Sequence, residues 1–405
     1  MKMLRHPLIL LVLSTILLFS LLFLYSGGQE YNVLYAGGAV LLLSCVTYAL
    51  ITLCKWGDGY IFLIISMLVT IGVATLYRID PTMGQQQIVK YVLGILIFFV
   101  AYFLFRYINV WNNLKWFYMG AIIALFVITL IFASEVKGAK NWINIFGVAI
   151  QPSEFIKLIF VMYLSSYFSQ RPEKEFVIRN IREKYITLFM VYTCVFFLLL
   201  QREWGSMLIM IFTYLMMLYI FKSDFLLLGF NAVAISFVAV FGCKYMSHIQ
   251  IRVANWIDPW TDISGRGYQI TQSLFAIASG SFFGSGLGLG HPEYIPEVHS
   301  DFIFSAICEE MGIFGGIAVI LLYFIIVYRG LKIALKLDGF DRCLATGITI
   351  IFGFQTFVII GGVIKMIPLT GITLPFISYG GSSLLISFAS MGILQALSAR
   401  GGSDV

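Results

Sequence analysis

A chain of 405 residues that is 60% hydrophobic and only 11% charged, with a mean hydropathy of +0.94, is too apolar to fold as a soluble globule around one core. A net charge of +6 does not point to nucleic acid, because the Lys and Arg residues are scattered between apolar runs and form no patch with interleaved aromatics. The runs are long enough for helices to cross about 30 Å of hydrocarbon and lack the alternation of barrel strands, so an all-α polytopic membrane bundle is expected.

The first apolar run, Pro7 to Tyr25, follows Lys2, Arg5 and His6 as a secretory signal would. It is longer than a typical signal core, and no A-x-A site follows, so it is expected to be a retained span. Further spans are predicted near 33–54, 59–77, 88–105, 117–133, 153–168, 186–201, 205–221, 225–246, 302–328, 344–364 and 383–398. That makes twelve, with both termini on one side. With the N-terminus cytoplasmic, sixteen of the 26 Lys and Arg residues fall inside and eight outside, the bias expected of cytoplasmic loops.

This topology puts three loops outside, 134–151, 247–300 and 365–382, and long loops in compact proteins usually carry function. Within the largest, Ile270 to Phe283 predicts a short helix at the interface or re-entering the bundle. The turn KWGDG at Lys55 to Gly59 sets off residues 1–58 as a two-span extension from a core over 59–400, with a short tail at 401–405. The six cysteines form no CxxC pair and are expected to be small core residues. His248, His291 and His299 match no zinc spacing.

The largest loop ends in GLGLGHPEYIPEVHSDFIFSAICEEMGIFGG, which gathers Glu293, Glu297, His299 and Asp301 at one membrane surface. Asp301 has two compatible readings: a helix cap together with Ser300, or a carboxylate at the mouth of a low-dielectric cavity whose proton affinity suits a general base. Glu309 and Glu310 lie about two turns into the following helix, where a carboxylate must be paired or neutralised, and Lys365 is the expected partner. In GAKNWINIFGVAIQPSEFIKL, Pro152, Ser153 and Glu154 read as a helix start, and Lys157 lies on the same face as Glu154, ready to pair or to snorkel. Trp142 reads as an interfacial aromatic. Gln201, Arg202 and Glu203 interrupt apolar sequence at a very tight outer link, either exposed or directed into a shared cavity. The glycine-rich run Gly280 to Gly290 has no strand-to-helix context for a nucleotide and reads as close backbone approach or turns.

Three stretches together resemble the SEDS family of cell-wall proteins: GAKNWINIFGVAIQPSEFIKL, RVANWIDPWTDISGRGYQITQSLFAIASGSFFGSGLG with IPEVHSDFIFSAICEEMGIFGG, and ITLPFISYGGSSLL. They stand in family order and cover most of Gly59 to Arg400, the part that corresponds to the family's ten-span pattern. The resemblance implies a peptidoglycan glycosyltransferase that polymerises lipid II, acting on polyprenyl-diphosphate-linked glycan at the outer face of the cytoplasmic membrane. It would work with a class B penicillin-binding protein in elongation, division or sporulation. The family's essential carboxylate falls on Asp301, its functional tryptophan on Trp142, and its glutamate and lysine on Glu154 and Lys157. Where members usually read QPDLG, this chain reads QREWG, so Glu203 stands for an aspartate and Arg202 for a proline.

In the chemistry so implied, Asp301 takes a proton from an attacking sugar hydroxyl. Lys140, Arg202 or Arg252 stabilises the departing diphosphate, and Trp142, Glu154, Lys157, Glu203, His299 and Glu309 support the site. No cofactor is required; a divalent cation (Mg or Mn) would be held by the substrate diphosphate and one carboxylate. Membrane lipid would surround the bundle, whose apolar grooves would hold the polyprenyl chains. Two rival readings are a lipid II flippase, which needs polar groups along a transmembrane path, and a non-catalytic scaffold for a cross-linking partner.

Overall fold

The computed structural model describes residues 7–28, 30–136, 139–145, 148–170 and 177–401. Lys2, Arg5, Lys137, Arg171 and Lys174, which enter the charge asymmetry, lie outside them.

Among these residues the chain forms α1 (Pro7–Tyr25), α2 (Tyr31–Leu53), α3 (Gly59–Ile79), α4 (Pro81–Tyr107) and α5 (Lys115–Phe132), followed by three short strands. These are β1 (Ser134–Val136), β2 (Ala139–Ile145) and β3 (Val148–Ile150). Then come α6 (Pro152–Phe168), α7 (Val177–Leu200), α8 (Trp204–Lys222), α9 (Phe225–Tyr245), α10 (Ser247–Ile257), α11 (Tyr268–Gly280), α12 (Ile303–Ala334), α13 (Gly339–Val363) and α14 (Gly381–Arg400). Eleven of the helices are long and apolar enough to cross a membrane, and α6, with 17 residues, spans about 25 Å beside them. The expected helical membrane bundle is therefore what forms.

α3, α13 and α14 bury most of their length, whereas α1 and α9 expose most of theirs to the surroundings. α14 lies along α4 at very close range: a Cβ on Gly392 would stand 2.3 Å from the carbonyl oxygen of Phe98, so only glycine admits this contact. α12 is flanked by α3, α11 and α13, and α6 by α5, α8 and α13. The hairpin α1–α2 leans on α3, with Phe19, Val33, Val40 and Ile51 sealing the seam.

The structure departs from the sequence expectations in several places. The described residues between 134 and 150 form an antiparallel three-stranded β-meander. The stretch 247–300 is not one long loop, because α10, with 11 residues, and α11, with 13, fill a large part of it. α10 was missed because Gln250, Arg252 and Asn255 break its apolar pattern into that of an amphipathic surface helix. α11 falls where the short helix was expected. Of the six cysteines only Cys194, Cys308 and Cys343 are core residues; Cys54 and Cys243 are exposed and Cys45 lies between. All six are free thiols.

At the end of the bundle away from the sheet, Asp58 caps α3 through the Tyr60 amide and takes a two-pronged ion pair from Arg329 of α12, Nη2 lying 2.9 Å from Oδ1. Both charges are withdrawn from solvent, so removing one strands the other. Asp58→Ala and Arg329→Ala should each cost about 3–5 kcal/mol, read as a marked fall in the thermal midpoint of the detergent-solubilised protein, with Asp58→Asn intermediate.

Candidate functional site

The chemistry-bearing side chains collect at the end of the bundle that carries the β-meander, α10, α11 and the stretch 365–380. Asp301 sits on a ledge just before α12, half-buried. The helix N-cap position falls on Phe302, and Ser300 Oγ donates to the Glu297 carbonyl, so Ser300 does not cap α12. The ledge is pinned instead from the 365–380 loop. Ser378 Oγ donates to the Ser300 carbonyl at 2.6 Å and accepts from the Leu374 amide, and the Tyr379 amide donates to the His299 carbonyl at 2.8 Å. Gln87 of α4 in turn donates to the Ser378 carbonyl.

The same loop brings up a cation. Gly371, with φ of +70°, leaves open a niche where a Cβ would lie 3.4 Å from Arg252 Nη2 and 3.5 Å from Asp301 Oδ2. Arg252 and Asp301 thus face each other across one glycine. Arg252 Nη1 donates to the Leu369 carbonyl at 3.0 Å, and Trp256, one turn on, donates to the Lys365 carbonyl, so α10 is buckled onto this loop. Burial lowers the Arg252 pKa from its ordinary value, and the negative charge of Asp301 acts against that shift. His299 lies 3.8 Å from Glu297 and edge-on to Tyr379.

Behind Arg252 opens a cavity of about 440 Å³ between α7, α8, α9, α10 and α13. Its walls are almost wholly apolar, with Val191, Met207, Ile211, Val238, Phe354 and Ile367 among them. Arg252 is its charged lip.

A second polar cluster lies at the start of α6. Lys157 Nζ is 2.9 Å from Glu154 and donates to Gln355 Oε1 at 3.0 Å, while Gln355 Nε2 donates to the Thr373 carbonyl. Lys157 is only 3% exposed, so it pairs and does not snorkel. Next to this cluster a space of about 20 Å³, lined in part by Glu154, Lys157 and Gln355, has room for about one water. Glu203, expected to be either exposed or turned into a cavity, is buried: Gln151 Nε2 donates to it at 2.9 Å, and Asn141 and Ser153 lie beside the same carboxyl. Burial raises its pKa above the usual carboxylate value; those neighbours oppose the shift and nearby Glu154 adds to it. Arg202, with φ of +58°, turns outward and is exposed. Trp142 is half-buried on β2, and the side chain of Lys140, on the same strand, lies outside those described.

One expectation is overturned. Glu310 pairs with Arg78 at 3.0 Å, not with Lys365, which instead donates to the Ile257 carbonyl. Glu309 accepts the His291 amide at 2.9 Å. Both carboxylates are buried, and they face the 281–291 stretch. Gln355, Gln87 and Arg78 were not singled out from the sequence; Gln355 interrupts an apolar helix, which is the signal that marks it, whereas Gln87 ends a run of three glutamines near the start of α4. No three His, Cys, Asp or Glu residues converge among the described residues.

A family model described as a cell cycle protein of the FtsW, RodA and SpoVE type matches residues 48–401. The chain belongs to that family. It is 35% identical over 278 residues to peptidoglycan glycosyltransferase RodA of Mycobacterium tuberculosis, a match covering 65% of this chain and 59% of that protein's length. It is 33% identical over 310 residues to stage V sporulation protein E of Bacillus subtilis, covering 74% of this chain and 83% of the relative. The fold is similar, with a TM-score of 0.71 and 25% identity over 86% of this chain and 99% of the other, to a chain from a peptidoglycan synthase complex that coordinates polymerisation and crosslinking.

Two predictions follow from the buried carboxylates of this family member. Because the Glu203 pKa is raised, the folded state holds a proton that the unfolded chain releases, so this group's contribution is present at acid pH and is lost as pH rises above the ordinary carboxylate range. Glu203→Gln should therefore melt at or above wild type at pH 8, with the advantage shrinking toward pH 5, in thermal scans across pH. Glu154 and Lys157 should show a coupling energy within about 0.5–3 kcal/mol in a double-mutant cycle with alanine, measured by thermal unfolding; additive effects would mean the pair is not an energetic unit.

Proposed function

We propose that this chain is a peptidoglycan glycosyltransferase that polymerises lipid II at the outer face of the cytoplasmic membrane, with both termini cytoplasmic. The observation that carries the reading is the meeting of Asp301 and Arg252 across Gly371, at the lip of an apolar cavity, in a member of a family whose relatives bear that activity in their names.

In this reading the C4 hydroxyl of an acceptor sugar attacks the anomeric carbon of a polyprenyl-diphosphate-linked donor. The new glycosidic C–O bond forms as the bond to the diphosphate oxygen breaks, and Asp301 receives the hydroxyl proton. Such a base contributes about 10² to 10⁴ in rate. Arg252 stabilises the negative charge that grows on the departing diphosphate, a role its position beside Asp301 suits, with Arg202 and Lys140 as the other candidate cations. A polyprenyl chain leaving the Arg252 lip would run into the apolar cavity. Trp142 and His299 border the sugar-binding side, while Glu154, Lys157, Glu203 and Glu309 hold the helix ends that frame it.

A divalent cation would have only the substrate's phosphate oxygens and one carboxylate to hold it, since no ligand cluster is present among the described residues. A class B penicillin-binding protein is proposed as partner, in keeping with the synthase complex to which the fold is similar. A flippase would need polar groups along a path through the membrane, whereas Asp301 and Arg252 lie together at one end of the bundle, which favours an enzyme.

Asp301→Asn keeps the shape of the side chain and removes the proton acceptor. The variant should express, melt within a few degrees of wild type, retain lipid II binding and lose glycan polymerisation by about 10²-fold or more. Polymerisation at the wild-type rate would reject the base. A wild-type protein that moves lipid II across liposome membranes and never polymerises it, with or without its partner, would establish the flippase.

A further inference from the structure

The family model begins at residue 48, so α1 and most of α2 lie outside it, yet α1 ends against the segment that leads to Asp301. Arg78, at the last turn of α3, is the meeting point. Its Nη2 donates to the carbonyls of both Gly288 and Gly290 at 3.0 Å, its Nε lies 3.0 Å from Glu310, and the Tyr25 ring covers it with the guanidinium carbon 5.0 Å from the ring centroid. Gly288 has φ of +87°, and a Cβ there would stand 2.5 Å from the Tyr25 ring. One guanidinium is thus shared by α3, α12, the glycine-rich segment and the N-terminal extension, a use of its planar fork that lysine cannot copy.

The segment so held is already laced to a break in α12. Gly312 leaves the helical conformation with φ of 69°, and the backbone groups freed around it are taken up by the neighbouring chain. The amides of Ser285 and Gly286 donate to the carbonyls of Glu309 and Glu310, and the amides of Ile313 and Phe314 donate to those of Ser281 and Phe282. Beyond Gly290 the His291 amide binds Glu309, and tight turns closed by the amides of Ile295, Val298, Ser300 and Asp301 lead to the ledge. The turns give a shift at Gly288–Gly290 a hydrogen-bonded route to the ledge.

We propose that Tyr25 and Arg78 are positioning residues for the reaction at Asp301, and that the N-terminal hairpin is a working part of the site through this clamp. The proposal rests on the glycosyltransferase reading for its kinetic consequence, but the clamp can be measured apart from it. With Tyr25 in place, Arg78 is shielded from water and confined to one orientation, so both carbonyl bonds persist. Without the ring, the guanidinium can turn to solvent and the 284–291 segment loosens.

The test is hydrogen exchange of the full-length protein in nanodiscs, together with lipid II polymerisation. Tyr25→Leu keeps apolar bulk and removes the aromatic face. It should speed exchange at the amides of Gly286, Leu289 and His291 by about tenfold, leaving the core helices and the thermal midpoint unchanged. It should also lower kcat by about 10- to 100-fold with KM within about twofold, as misplacement of a reacting group does. Tyr25→Phe, which retains the ring, should restore both. Arg78→Lys should loosen the same amides. Exchange at 284–291 that is unchanged in Tyr25→Leu would overturn the clamp whatever the activity. A loosened segment with wild-type kcat, or no rescue by Tyr25→Phe, would overturn the positioning role. If the wild type polymerises nothing, the glycosyltransferase reading falls, and the exchange result still decides whether the clamp exists.

Discussion

A charge taken out of water into an apolar bundle must meet an opposite charge or lose its own, and the fold of this chain is arranged around that demand. Asp58 meets Arg329, Asp341 meets Arg400, Glu310 meets Arg78 and Glu154 meets Lys157. Each pair joins segments that are distant in sequence or fixes the start of a helix, so the ion pairs decide which helices stand together where apolar surface alone would accept several neighbours. Lipid-facing Leu and Phe cannot provide that specificity, because hydrocarbon satisfies them on any side.

The backbone is under a parallel demand. Where α12 breaks at Gly312, its freed carbonyls and amides are not left to lipid; the 281–286 segment lies against the break and takes them up. This is why glycines crowd there. A Cβ on Gly284 would stand 2.1 Å from the Glu310 carbonyl oxygen, so the expectation of close backbone approach in Gly280–Gly290 is realised at that point. The break in turn puts the glycine-rich segment within reach of both buried glutamates, which links a membrane-depth irregularity to the position of a surface carboxylate.

Much of this was legible in the sequence, and the physical reason is the bilayer itself. Runs near twenty apolar residues admit little except helices, and the Glu154–Lys157 pairing follows from a spacing of three within one helix. What stayed hidden depended on contacts between distant segments. Arg78 read as one more basic residue near a span end, and only the fold brings Glu310 to it in place of Lys365. The β-meander and α10 carry short or polar-interrupted patterns that local periodicity does not resolve. The placement of Arg252 near Asp301 needed the 365–380 loop, whose Gly371 lies against both side chains.

The distribution of these groups separates two kinds of ionic site. Asp58 with Arg329 and Asp341 with Arg400 are closed on each other as two pairs at the end away from the sheet. At the other end Arg252 is tied by one nitrogen to a backbone carbonyl, its second terminal nitrogen lies near Gly371 as does Asp301, and the residue lines an apolar cavity of about 440 Å³. A cation arranged in that way has its orientation fixed by the protein while it stands between a carboxylate and an apolar cavity. An amphiphile whose anionic head adjoins a long apolar tail matches both features at once. A soluble sugar nucleotide would use the charge and leave the cavity unfilled, and a simple lipid would fill the cavity and leave the carboxylate without chemistry to do.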